Sequence, residues 1–144
     1  MSRFPPVEDL VPHAAPTLAI DELVDWSDGK THVRLVVREG GLLVRDGGVD
    51  TVVTLELMAQ AVAACLGYGA FLHGGGVRVG MVVACRKFAI ARARLEIGEQ
   101  LDIRVVRLRG TDDASTFEAE VHDGRGALVS SAVMTLVHGD RPPD

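Results

Sequence analysis

VVTLELMAQAVAACLGYGAFL, residues 52–72, is long, almost wholly apolar and bounded by glycines; real polarity enters only at Thr54, Glu56 and Gln60. A helix that is apolar on every side has to be surrounded. At 1.5 Å per residue the stretch would make a helix of about 31 Å, which is also enough to span a bilayer. A carboxylate and an amide within it speak against lipid, where ionisable groups are costly, and the rest of the chain lacks a second span. The expectation is a central helix wrapped by a sheet, with no membrane span.

Working outward, residues 39–51 (EGGLLVRDGGVDT) read as a glycine-rich loop, in which Asp50 or Thr51 is placed to cap the helix by accepting a backbone N–H. On the other side Gly74, Gly75 and Gly76 suit a helix stop. Further upstream, residues 7–11 suit one helical turn ended by Pro12. Residues 17–26 and 31–37 flank the turn signal Ser27-Asp28-Gly29-Lys30 and pair as a hairpin. Downstream come four strand-like runs: 77–91, bent near Arg86-Lys87, then 101–109, 116–122 and 127–137. Residues 92–100 read as a connection at Gly98, and Asp123-Gly124 is a hairpin signal. Residues 1–6 and 139–144 are expected to be loose termini. Strands segregated around one long helix make an α+β domain, here a hotdog fold over residues 1–144, with a largely antiparallel sheet. Such a sheet leaves edges and apolar surface that call for a partner subunit.

The chain of 144 residues is 47% hydrophobic but only 4% aromatic, so its core is built from Val, Leu and Ala. A net charge of −5 argues against nucleic-acid binding through the whole surface. Cys65 and Cys85 sit in apolar surroundings without metal-ligand spacing, and both are expected to be buried reduced thiols. His32, His73, His122 and His138 are expected at the surface. No two histidines have ligand spacing, so no metal site is expected. The first ten residues hold no apolar leader, and a cytoplasmic location is expected.

Glu56 and Gln60 are four residues apart and share one helix face near the positive end of the helix dipole. Backbone N–H groups there would polarise a carbonyl in the manner of an oxyanion hole. Gly47 and Gly48 would let a ligand approach the backbone closely. Desolvation by apolar neighbours would disfavour the charged form of Glu56 and poise it for proton transfer; a structural ion pair with an arginine is the competing reading. His13 is either a general base or a loop hydrogen-bonding group. Arg86, Lys87, Arg92, Arg94, Arg104, Arg107 and Arg109 concentrate positive charge between residues 86 and 109, either as a patch for a phosphate-bearing carrier or as a solvated strand face.

The start Leu10-Val11-Pro12-His13, continuing through Pro16 to Asp21-Glu22-Leu23, resembles the opening of bacterial β-hydroxyacyl-acyl carrier protein dehydratases. Leu55-Glu56-Leu57-Met58-Ala59-Gln60-Ala61 resembles their Glu-x-Met-Ala-Gln helix motif, and the similar layout runs from about residue 8 to 138. The resemblance implies a hotdog dimer with sites at the subunit interface. Its substrate would be a thioester on the phosphopantetheine of an acyl carrier protein, or on coenzyme A, with no other cofactor. Glu56 would work opposite a histidine of the neighbouring subunit. One departure stands out: the family's loop histidine, in His-Phe-Pro-Gly, is missing from Leu42-Leu43-Val44-Arg45-Asp46-Gly47-Gly48-Val49. The Asp-Gly-Gly form is more similar to the dehydratase-like branch of aryl-polyene clusters. His13 is then the one histidine with a motif behind it.

The expected activity is therefore elimination of water from a 3-hydroxyacyl thioester. Glu56 and His13 would move the protons, Gln60 would orient Glu56 or line the acyl tunnel, and Gly47, Gly48 and Val49 would contact substrate. The competing readings are a non-catalytic subunit serving an active dehydratase, and an acyl thioesterase. Homodimer and heterodimer both remain open at this stage.

Overall fold

The apolar stretch forms one helix, α1 (Thr54–Leu72), entered through a 3₁₀ turn over Thr51–Val53. The computed structural model describes residues 4–11, 19–38, 44–75 and 79–139. Thr51–Leu72 has the length and hydropathy to cross a membrane, but Leu57, Met58, Ala61, Val62, Ala64 and Cys65 are buried against the protein's own sheet. The helix ends as its glycines predict. Gly74 takes φ +76°, its N–H donates to the Phe71 carbonyl, and the Gly75 N–H reaches back to Ala70.

The entry to the helix differs from expectation. Neither Asp50 nor Thr51 caps it with a side chain. Asp50 Oδ1 instead accepts a hydrogen bond from Arg94 Nη1 at 3.0 Å, and the buried Thr51 hydroxyl finds no partner. Thr54 Oγ1 bonds the Thr51 carbonyl and Ser130 Oγ, both at 2.7 Å, tying the first helical turn to the sheet floor.

Strands β1 (Glu22–Ser27) and β2 (Lys30–Val36) form the expected hairpin. The stretch read as a loop holds two short strands, β3 (Val44–Arg45) and β4 (Gly48–Asp50), and the 92–100 connection holds β6 (Arg94–Glu96). These three make a small sheet in the order β3-β4-β6. Two- and three-residue strands are too short to show an alternation, which is why periodicity missed them. The large sheet adds β5 (Val79–Ile90), β7 (Gln100–Gly110), β8 (Ala114–Asp123) and β9 (Leu128–Gly139). Its order is β1-β2-β7-β8-β9-β5, with every pair antiparallel. The bend expected at Arg86-Lys87 is a bulge between Arg86 and Ala89, with Lys87 at φ +55°.

Alternation decides which side chains meet α1. Val33 and Leu35 on β2, Leu101, Ile103 and Val105 on β7, Phe117, Ala119 and Val121 on β8, and Ala132 and Met134 on β9 are all buried. Burying a Leu, Ile or Phe side chain of this kind stabilises the fold by roughly 1.5–3 kcal/mol. The helix packs chiefly over β7, β2 and β8. At the N-terminus, Phe4 lies in the stretch expected to be loose, yet it is buried, edge-on against Tyr68 with ring centres 5.2 Å apart.

The outer face of β2 and β7 carries a polar network for which the sequence holds no local signal. His32 Nε2 donates to Asp102 Oδ1 at 2.6 Å, Arg34 Nε donates to the same oxygen at 3.0 Å, and Gln100 Nε2 donates to Oδ2 at 3.2 Å. Burial alone would raise the Asp102 carboxyl. The bonds from His32, Gln100 and Arg34 outweigh it and hold the group below its usual value. A carboxyl lowered by folding contributes stability above its unfolded value, near 3.9, and loses it as pH falls through the folded value. Unfolding midpoints of the native chain should therefore fall more steeply with acid than those of Asp102→Asn. Parallel curves from pH 6 to 3 would show that the network contributes nothing.

Two further expectations fail for reasons of topology. His138 is buried, with Nε2 2.9 Å from Ser115 Oγ, because β9 turns it to the inner face. Cys65 is buried and its thiol is pushed up by desolvation, but Cys85 is exposed on the edge strand β5.

Candidate functional site

Helical spacing does bring Glu56 and Gln60 together. Gln60 is fully buried; its Oε1 accepts the Ala19 N–H at 2.9 Å, which leaves Nε2 to donate to Glu56 Oε1 at 3.3 Å. The backbone bond fixes the amide orientation, so Gln60 presents a donor to the carboxylate. It also moors the segment entering β1 on the helix. Glu56 itself is exposed. Among the described residues, its neighbours Leu57 and Met58 are buried in the core, while Glu56, like Val52 one turn before it, faces outward.

Gly47 and Gly48 sit where β3 turns into β4, directly ahead of the helix entry. Asp46 and Gly47 take φ +52° and +77°, the pair of positive values that a two-residue hairpin turn requires. A Cβ on Gly48 would lie 2.9 Å from the Leu95 carbonyl oxygen and 3.0 Å from an Arg94 guanidinium nitrogen, so this glycine lets β6 and Arg94 close over β4. Val49 is buried. His13 lies outside the described residues. Its flanks are both on α1: Ala19 through Gln60, and Leu10 through Gly67, where an added Cβ would stand 1.8 Å from the Leu10 oxygen.

The basic run does not form one patch. Arg92 pairs with Glu99 at 2.6 Å and Arg94 with Asp50 at 3.0 Å, while Arg104 faces Glu120 across β7 and β8. A cleft of about 740 Å³ opens at the far end of the helix between Trp26, Cys65, Arg107 and Phe117; neither Glu56 nor Gln60 lines it. Within the described residues the Glu56 face is thus open, with a positioned carboxylate and no enclosing wall. The interactions missed from sequence (Asp50 with Arg94, and Thr54 with Ser130) join residues 44 and 76 positions apart, with no local signal for either pairing.

One helix against a large antiparallel sheet, with a paired Glu and Gln in its first turns, defines a hotdog-fold protein. The chain belongs to the ApeP-like family, described as ApeP dehydratase, which it matches over residues 5–142. Among solved structures it is similar to a chain of the dehydratase heterocomplex ApeI:P from Xenorhabdus doucetiae, with a TM-score of 0.89 and 23% identity over 95% of this chain and 93% of that one. It is also similar to a hypothetical thioesterase from Streptococcus pneumoniae TIGR4 solved with coenzyme A, at TM-score 0.64 and 15% identity over 85% and 88% of the two chains. A third likeness is to the E. coli PaaI protein from the phenylacetic acid degradation operon, at TM-score 0.64 and 11% identity over 82% and 78%. Compared by sequence with curated proteins, the chain has no match.

Proposed function

We propose that this chain is one subunit of a two-subunit hotdog dehydratase acting on a 3-hydroxyacyl thioester held on the phosphopantetheine of an acyl carrier protein or on coenzyme A. The carrying observation is the buried Gln60 amide, locked by the Ala19 N–H and donating to an exposed Glu56 at the start of α1. A carboxylate held this way serves proton transfer only when a wall excludes water. The open face leaves that wall to a second subunit, a reading supported by the likeness to a chain of the ApeI:P heterocomplex.

In the elimination, one group takes the C2 proton and the C2–H electron pair passes into the thioester enolate; that pair forms the C2–C3 double bond only as the C3–O bond breaks. The hydroxyl leaves as water after taking a proton. Glu56 and His13 are the two proton-transfer groups of this reading. Backbone N–H groups at the helix entry steady negative charge on the thioester oxygen, and Gly47, Gly48 and Val49 bring the chain past the acyl group. His13 is six residues before Ala19, and six extended residues reach about 20 Å, enough for the helical turn between Gln60 and Glu56. The reaction needs no metal or redox cofactor.

Mass spectrometry of a 3-hydroxyacyl-carrier protein incubated with the chain together with a second hotdog subunit tests this. Loss of one water, abolished by His13→Ala, is the expected result. A second reading is favoured by the missing histidine in residues 42–49 and by the heterocomplex likeness: the chain supports catalysis by its partner. That reading predicts that the assembly still removes water when this chain carries His13→Ala or Glu56→Gln. Free acid and carrier thiol without enoyl product would make the protein a thioesterase instead.

A further inference from the structure

We propose that the free edge of β5 selects against a second copy of this chain and in favour of a different strand that carries carboxylates. This deepens the two-subunit reading above and rests on it. Strand β5 ends the large sheet, paired with β9 on one side only. Val82, Cys85 and Ile90 lie opposite the buried Leu136, Met134 and Ser130, so they belong to the inner face, yet they are exposed. Met81 and Val83 are each 53% exposed on the same strand. An edge this apolar is a surface for strand addition.

The charge on the edge decides the occupant. Arg86 and Lys87 are exposed, and neither makes an ion pair among the described residues. Strand β9 beside them, Leu128–Gly139, contains no carboxylate. In a chain with 20 Asp and Glu residues, none occurs between Glu56 and Glu96. A two-fold dimer through this edge would set β5 against its own copy. In every register Arg86 and Lys87 would then face only apolar or cationic residues. Like charges so placed are destabilising and opposite charges stabilising, so a facing strand with Asp or Glu is preferred.

The test needs only this protein. Native chain and an Arg86→Glu/Lys87→Glu variant are each sedimented alone and then mixed. The mixed dimer should form at a concentration about tenfold below that of either homodimer, and 1 M salt should erase the difference. An Arg86→Gln/Lys87→Gln variant should self-associate more tightly than the native chain; it also serves if the reversed variant fails to fold. A native homodimer as tight as the mixed one, or a neutral variant no tighter than native, overturns the proposal. Because association is read without turnover, this outcome is independent of the dehydratase assay.

Discussion

Replacing Glu56 by Gln should lower turnover of the active assembly by about 100-fold or more, with KM changed little and thermal stability unchanged. The substitution keeps shape and an acceptor oxygen, so the Gln60 Nε2 contact at 3.3 Å survives it. What disappears is a group able to take and return a proton. Because Glu56 is exposed, its loss should leave the fold intact. Glu56→Asp, one methylene shorter, should fall between, since proton transfer depends on reach. Full activity in Glu56→Gln would remove this carboxylate from the mechanism and leave it a surface residue beside a structural glutamine.

Gly67→Ala should destabilise the protein by about 3 kcal/mol, a fall in Tm of roughly 10 °C. Helix propensity predicts the opposite, a gain of about 1 kcal/mol for replacing a mid-helix glycine. Tertiary contact decides the sign. The new Cβ would stand 1.8 Å from the Leu10 oxygen and 2.8 Å from its carbonyl carbon, and backbone has no alternative rotamer. Either the helix or the Leu10 turn must move, and Leu10 is only 1% exposed. The same shift would displace the mooring of the segment that carries His13, so activity should fall with stability. Gly69→Ala is the control. Its Cβ would meet Trp26 at 3.5 Å, an ordinary contact, so propensity should win there and Tm should rise slightly. Parallel shifts in the two variants would mean that Leu10 does not rest on the helix.

Much of this was legible before any coordinates. Residues 52–72 announced a buried helix because nothing else accommodates so continuous an apolar run in a chain with alternating strands. Glu56 and Gln60 were legible as a pair because helical spacing alone brings them together. His13 and the missing loop histidine were read from motif order, and their geometry lies outside the described residues.

Periodicity and spacing act within a few residues, and by themselves they determined the helix, its glycine stop, the long strands and the Glu56–Gln60 pair. Everything that joins distant parts of the chain was decided by the tertiary structure. Asp50 was free, on sequence grounds, to cap the helix; Arg94, brought beside it by the small sheet, takes its carboxylate instead. Cys85 and Cys65 look alike in sequence, yet Cys65 lies on α1 against the core and is buried, while Cys85 lies on the edge strand β5 and is exposed. Glu56 points outward for a similar reason: the helix turns its aliphatic face to the large sheet, and the carboxylate is left on the outward side.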